Sequence, residues 1–128
     1  MKERDFYRPV QNWVRSNLNQ TAVIELKLVK EGRFRLSDMR PHQLQSLSQC
    51  KHNNMVYKIP DAGYDQKPFD ICYWNKTNAY IGVIFYEPRK KKNLYLIDID
   101  SIVTFDSSKV SYSEEELSQL AAHQAQLA

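Results

Sequence analysis

Glu25 and Lys27 stand two residues apart in "TAVIELKLVK", a run otherwise dominated by aliphatic and β-branched residues that reads as a strand. Side chains alternate along a strand, so the carboxylate and the ammonium share one face. Charged groups are almost never fully buried unless they are paired or have work to do. A carboxylate that holds a divalent cation, beside an amine that orients water or balances charge building on phosphate, is the core of a metal-dependent hydrolase. The competing interpretation is an edge strand with a solvated Glu–Lys pair, which contributes little. "ELK" alone is too common a tripeptide to choose between them.

Magnesium is held through a few carboxylates and keeps several waters, so a second acid is needed. Asp70 in "KPFDICYW" heads an apolar strand after Pro68 and Phe69, where a carboxylate can emerge at a sheet end. Its structural alternative is a turn aspartate. Asp61 in "KIPDAG" looks more like turn chemistry, and Asp98 with Asp100 in "LIDID" forms a rival pair on one face, with no lysine at the same spacing. Glu25 with Asp70 therefore ranks above them. Gln43, near the start of a helix opening at Pro41, carries an amide able to donate and accept toward a phosphate or a metal-bound water; in isolation it reads as a solvated glutamine. His42 reads as an exposed histidine beside a proline. Lys30, Arg33, Arg35 and Arg40 follow the "ELK" strand, and Arg89, Lys90, Lys91 and Lys92 form a second basic run. Such runs are usually solvated, but two of them around a divalent-metal site suit a polyanionic backbone. Tyr73, Trp74, Tyr80 and Tyr86 fall on strands and read as core or sheet surface rather than as base-stacking platforms.

The elements that must position these groups follow from pattern. With 128 residues, 42% of them apolar and only 3 glycines, the chain has material for one folded domain and one core. A net charge of +3 permits a nucleic-acid partner without demanding one. No apolar run approaches the roughly 20 residues of a membrane span, and "MKERDFYRP" has no signal-peptide core. A cytoplasmic location is expected, nucleoid-associated or in a virus-infected host cell. Cys50 and Cys72 lack metal-type spacing and read as reduced thiols. Phe6, Val10, Trp13, Val14 and Leu18 predict a helix within residues 3–18, with Pro9 best suited to its first turn. A strand over 21–30 ends at "KEGR". A second helix opens around Pro41, with Ser37 or Asp38 as its cap and Leu44, Leu47 and Cys50 as its apolar stripe. Four strand-like runs follow: "MVYKIP", "FDICYWN", "AYIGVIFY" and "NLYLIDI", the last two joined by a basic hairpin tip, "EPRKKK". The tail predicts a polar helix with Leu117, Leu120 and Ala121 on its apolar side. The fold class is mixed α/β (α+β).

"IELK", then "RPHQLQSL", then "AYIGVIFY" followed by "NLYLIDIDSI" together resemble the PD-(D/E)XK nuclease superfamily, and within it the small Holliday-junction resolvases and their phage relatives. The resemblance covers roughly residues 21–53 and 79–102. It implies a restriction-endonuclease-like domain over 1–112, a central mixed β-sheet flanked by helices, with 113–128 as a C-terminal helical tail. The family places its proline–aspartate strand before the (D/E)XK strand, whereas "KPFD" here follows the glutamine helix. The expectation is a permuted arrangement in which the strand of Asp70 still lies beside that of Glu25. The resemblance then implies Asp70, Glu25 and the Leu26 backbone carbonyl as ligands of magnesium or manganese. It implies Lys27 as the group that positions or activates water, Gln43 as a support for phosphate or the metal's water shell, and Glu3 as a further acid from the first helix. It implies hydrolysis of a DNA phosphodiester leaving a 5′-phosphate, on four-way or otherwise branched DNA, by a homodimer with no small-molecule cofactor and no membrane. The alternatives are another nuclease of the superfamily (repair, restriction-like or exonuclease), a catalytically silent nucleic-acid-binding domain, or a protein-interaction module.

Overall fold

The computed structural model describes residues 1–63, 66–103 and 109–127. Glu3–Phe6 forms a 3-10 turn that leads into α1 (Tyr7–Asn17), and β1 follows at Ala22–Val29. Then come β2 (Arg33–Arg35), α2 (Pro41–His52), β3 (Asn54–Lys58) and β4 (Ile71–Asn75). The remainder is β5 (Asn78–Phe85), β6 (Lys92–Asp98), α3 (Ile99–Val103), β7 (Ser111–Ser113), α4 (Glu114–Leu120) and β8 (His123–Leu127). The mixed α/β class read from the sequence is what the chain adopts. No helix among the described residues is long and apolar enough to cross a membrane.

A four-stranded sheet in the order β1-β5-β6-β8 forms the centre. β1 and β5 are parallel, and β6 runs antiparallel to both of its neighbours. Both faces are covered. Leu26, Tyr80, Ile84, Leu94 and Leu96 pack with Phe6 and Val10, so α1 and the turn before it close one side. Ile81, Val83, Tyr95 and Ile97 pack with Leu47, Cys50, Ile99 and Leu117, so α2, α3 and α4 close the other. A strand buried on both faces reads as a continuous apolar run, which is why "AYIGVIF" shows no alternation. Gly82 pairs with Leu26, and a Cβ there would lie 2.7 Å from a Leu26 methyl and 3.1 Å from one of Ile24. Glycine is required at that position by close packing across β1 and β5.

Two small ribbons stand apart from the sheet. β2 pairs with β7, burying Phe34 and Tyr112, and β3 pairs with β4. The second ribbon is fastened to the end of α2: Lys76 N–H donates to the Asn53 carbonyl at 2.8 Å and Thr77 N–H to that of Cys50 at 2.9 Å.

Three expectations are corrected. The tail is not one helix: α4 stops at Leu120 and β8 pairs with β6, with Ala125 and Leu127 in the core. Residues 113–127 thus belong to the domain, and "HQAQL" carries the period-two alternation of a half-buried strand. The cap of α2 is Arg40, with Pro41 at the first helical position; Asp38 instead accepts from Arg35 N–H at 3.3 Å in a preceding 3-10 turn. The strand of Asp70 does not lie beside that of Glu25, because the hydrogen-bonded neighbour of β1 is β5 while β4 pairs with β3. The apolar run that outcompetes it for the place beside β1 is β5, which buries far more surface there.

Gly82→Ala should overpack the Leu26–Leu96 contact and lower stability by about 1–3 kcal/mol, read as a shift of the urea midpoint with an unchanged slope.

A candidate active-site groove on the open edge of the sheet

β1 is an edge strand, and its odd-numbered residues face α2. Val23 and Val29 enter the core on that side, while Glu25 and Lys27 lie between them. Their side chains are 34% and 14% exposed, so this is not a solvated surface pair. Lys27 Nζ lies 3.7 Å from Glu25 Oε1, beyond hydrogen-bonding length.

Gln43 completes the cluster, and the helix start explains its aim. At the third position of α2 its Oε1 accepts the Arg40 N–H at 3.0 Å, satisfying a donor that the helix leaves open. With the oxygen so occupied, its Nε2 points outward and donates to Glu25 Oε1 at 2.7 Å. The amide is held at both ends. What remains is spare capacity: Glu25 Oε2 and the three N–H bonds of Lys27 have no hydrogen-bond partner among the described residues. Glu25, His42, Gln43 and Ser46 line one wall of a groove of about 640 Å³ whose other wall is Tyr57 and Trp74 of the β3–β4 ribbon. On the opposite face of the sheet, Glu25 also borders an apolar hollow of about 280 Å³ with Tyr7, Val10 and Val14 of α1.

The structure brings together Glu25, Lys27 and Gln43 of the residues expected from the sequence. Asp70 heads β4, exposed, with Lys67 Nζ at 3.0 Å; Asp61 binds the same lysine. By alternation Asp70 shares a ribbon face with Cys72 and Trp74, but it does not line the groove with Glu25. Glu3 lines a different recess, with Tyr7, Leu28 and Lys30. Leu26 turns its side chain to the α1 side, leaving only its main chain to contribute. Among the described residues, no three His, Cys, Asp or Glu side chains converge in a metal-holding group. The hard oxygen donor at Glu25 fits magnesium or manganese only if most other ligands come from water and a substrate phosphate, a sharing that magnesium sites commonly use.

The basic residues fall into separate groups. Lys30, Lys90 and Lys91 line one recess together with Glu87 and Glu114. Arg89 to Lys92 also border a hollow beside Asp5 and Pro9, with Lys92 Nζ 5.2 Å from the Tyr86 ring centre. Arg33 is committed to Glu116 at 3.2 Å and to Ser111, whereas Arg35 and Arg40 are exposed. The rival pair Asp98 and Asp100 is occupied: Lys51 Nζ reaches them at 2.5 and 2.8 Å, and His52 Nε2 reaches Asp100 at 2.8 Å. This clamp ties the last turn of α2 to the junction of β6 and α3. Two groups escaped the sequence reading, Ser46 and Tyr57. Ser46 carries no motif, and Tyr57 became recognisable only once the ribbon stood opposite α2.

The His52 and Lys51 partners hold the Asp100 carboxyl below its ordinary value. A depressed carboxylate stabilises the fold above its unfolded pKa, and that contribution disappears as pH falls through the folded value. Asp100→Asn should therefore destabilise the chain at pH 7 and leave its stability less dependent on pH below about 4, as followed by urea midpoints between pH 7 and 3.

Comparison of the chain with protein-family models, curated proteins and solved structures yields no match, so the functional reading rests on this groove.

Proposed function

We propose that the chain is a metal-dependent endonuclease of the PD-(D/E)XK kind that hydrolyses phosphodiesters of branched DNA, the four-way junction being the first substrate to test. One observation carries this: a half-buried carboxylate and ammonium with unused hydrogen-bonding capacity, oriented by a glutamine from the following helix, at the open edge of a sheet. A purely structural Glu–Lys pair would have no reason to leave a carboxylate oxygen unpaired beside a groove.

A magnesium or manganese ion on Glu25 would polarise the phosphoryl oxygens and acidify a bound water. The chain's own residues account for the rest. Lys27 offers its ammonium to a non-bridging phosphate oxygen or to the attacking water, in a setting with little competing solvent. Gln43 holds the carboxylate in a single orientation, leaving Oε2 for the ion. The Lys30, Lys90 and Lys91 recess lies toward the C-terminal end of β1 and offers further cations for the backbone. Paired cuts across a four-way junction need two such sites, so a homodimer belongs to this reading. Strands β5 and β6 are interior and cannot form its interface. The exposed apolar residues Val56, Ile71 and Tyr73 on the β3–β4 ribbon are better placed.

A second reading, a catalytically silent nucleic-acid-binding domain, is favoured by the position of Asp70, which leaves Glu25 without a second carboxylate beside it.

Glu25→Gln should abolish metal-dependent nicking of a labelled junction while leaving binding intact or tighter, since a negative charge near phosphate is removed. Gln43→Ala should lower the rate by about 10- to 100-fold, as for other residues that orient a metal ligand. Asp70→Asn separates two forms of the site: loss of cleavage means the ribbon brings its aspartate to the bound substrate, and normal cleavage means Glu25 suffices with phosphate and water. If wild type cuts nothing with either metal yet binds DNA in a salt-sensitive way, the silent domain is correct. Neutralising Arg89 to Lys92 should flatten the dependence of log affinity on log salt by about 0.9 for each phosphate that the hairpin no longer neutralises.

A further inference from the structure

Tyr57 and Trp74 form the outer wall of the groove that holds Glu25 and Gln43. Tyr57 pairs with Cys72 and Trp74 with Met55, so the two aromatics are diagonal neighbours on one face of the ribbon. Their ring centres are 6.4 Å apart at 41°, so the rings are not stacked on each other. Tyr57 is 49% exposed, and Trp74 is half-buried. Of the ribbon's side chains it is Met55 that packs into the core, so packing alone gives no reason for two large aromatics on this side. Opposite them the Ser46 hydroxyl and the His42 ring make no hydrogen bond to a described residue.

We infer that this groove receives an unstacked nucleobase of the strand being cut, faced by Tyr57 and Trp74 with its edge toward Ser46 and His42. The inference rests on the nuclease reading, since a phosphodiester held at Glu25, which lines this groove, brings the adjoining nucleotide into it. Every base has a π-face, so an aromatic wall accepts any of them. Inside a duplex both faces of a base are covered by its neighbours, and only a base at a branch point, flap or single-stranded stretch is free to leave the stack cheaply. The substrate class is therefore DNA whose bases can leave the stack at the cut: a branch point, a flap or a single-stranded stretch. Trp74, read from sequence as core or sheet surface, becomes a substrate contact. An apolar protein segment would use the aromatics but not the polar wall facing them.

The test uses the Trp13→Phe chain, in which Trp74 is the sole tryptophan, with chelator present to prevent cleavage. It is titrated with a DNA fork bearing single-stranded arms and with a blunt duplex of matching sequence. The fork should quench Trp74 emission, and the duplex should leave it unchanged. Tyr57→Leu and Trp74→Leu should each weaken fork binding by about fivefold or more without changing duplex binding, and Trp74→Phe should restore most of the affinity. Unchanged emission at saturating fork, absence of fork binding, or equal weakening on fork and duplex would overturn the inference. Quenching by a wild-type-like chain that never cleaves with metal would keep the base site and remove the nuclease; metal-dependent cleavage without quenching would do the reverse.

Discussion

The parallel pairing of β1 with β5 is the constraint on which the other features depend. Antiparallel neighbours can be joined by a two-residue turn, but parallel ones need a connection that returns the chain to its starting end. Here that connection is everything between Val29 and Asn78, including α2 and the β3–β4 ribbon. The helix must cross the sheet face that Glu25 and Lys27 share. The ribbon, tied by its base to the end of that helix, then stands across from the same strand. The groove is thus a consequence of topology: a strand, the helix that crosses it and the ribbon that follows.

Within that frame the charges divide by how completely they are satisfied. Asp98, Asp100, Lys51 and His52 close on one another, and Glu116 is pushed down to about 2, first by Lys109 and then by the Ser113 backbone. Such clusters fasten helices to strands. Their charges are matched within each cluster, which suits a structural clamp. Glu25 and Lys27 are the contrast, half-buried, adjacent and incompletely paired. That difference, more than charge count or spacing, separates the groove from the other polar clusters of the molecule.

The edge position of β1 has a second effect. One side of the strand is paired to β5, and hollows lie on both sheet faces, so Glu25 borders both the α2 groove and the apolar pocket beside α1. An interior strand would have left no room for a ligand beside its carboxylate. The cost of an open edge is exposure of unpaired backbone groups, which α1 and α2 limit by shielding the strand from above and below.

Much of this was legible in the residues themselves, because period, caps and strand runs are local. The first two helices, β1, the long apolar β5 and β6 and the basic turn between them, and the meeting of Glu25 with Lys27, follow from patterns within a few residues. Gln43 could be named because a glutamine after a helix-opening proline sits in the first turn. The rest depended on contacts between distant segments. Whether Asp70 reached Glu25 was a matter of which strand pairs beside β1, and β5 takes that place through its greater burial. "HQAQL" looked helical beside "SEEELSQL" until β6 offered it an edge. The sequence alone determined which groups could do chemistry and which face of β1 they share, since alternation along a strand is a property of the backbone. Only the tertiary structure decided what stands opposite them, because pairing partners are selected by the total surface they bury and no single segment carries that information.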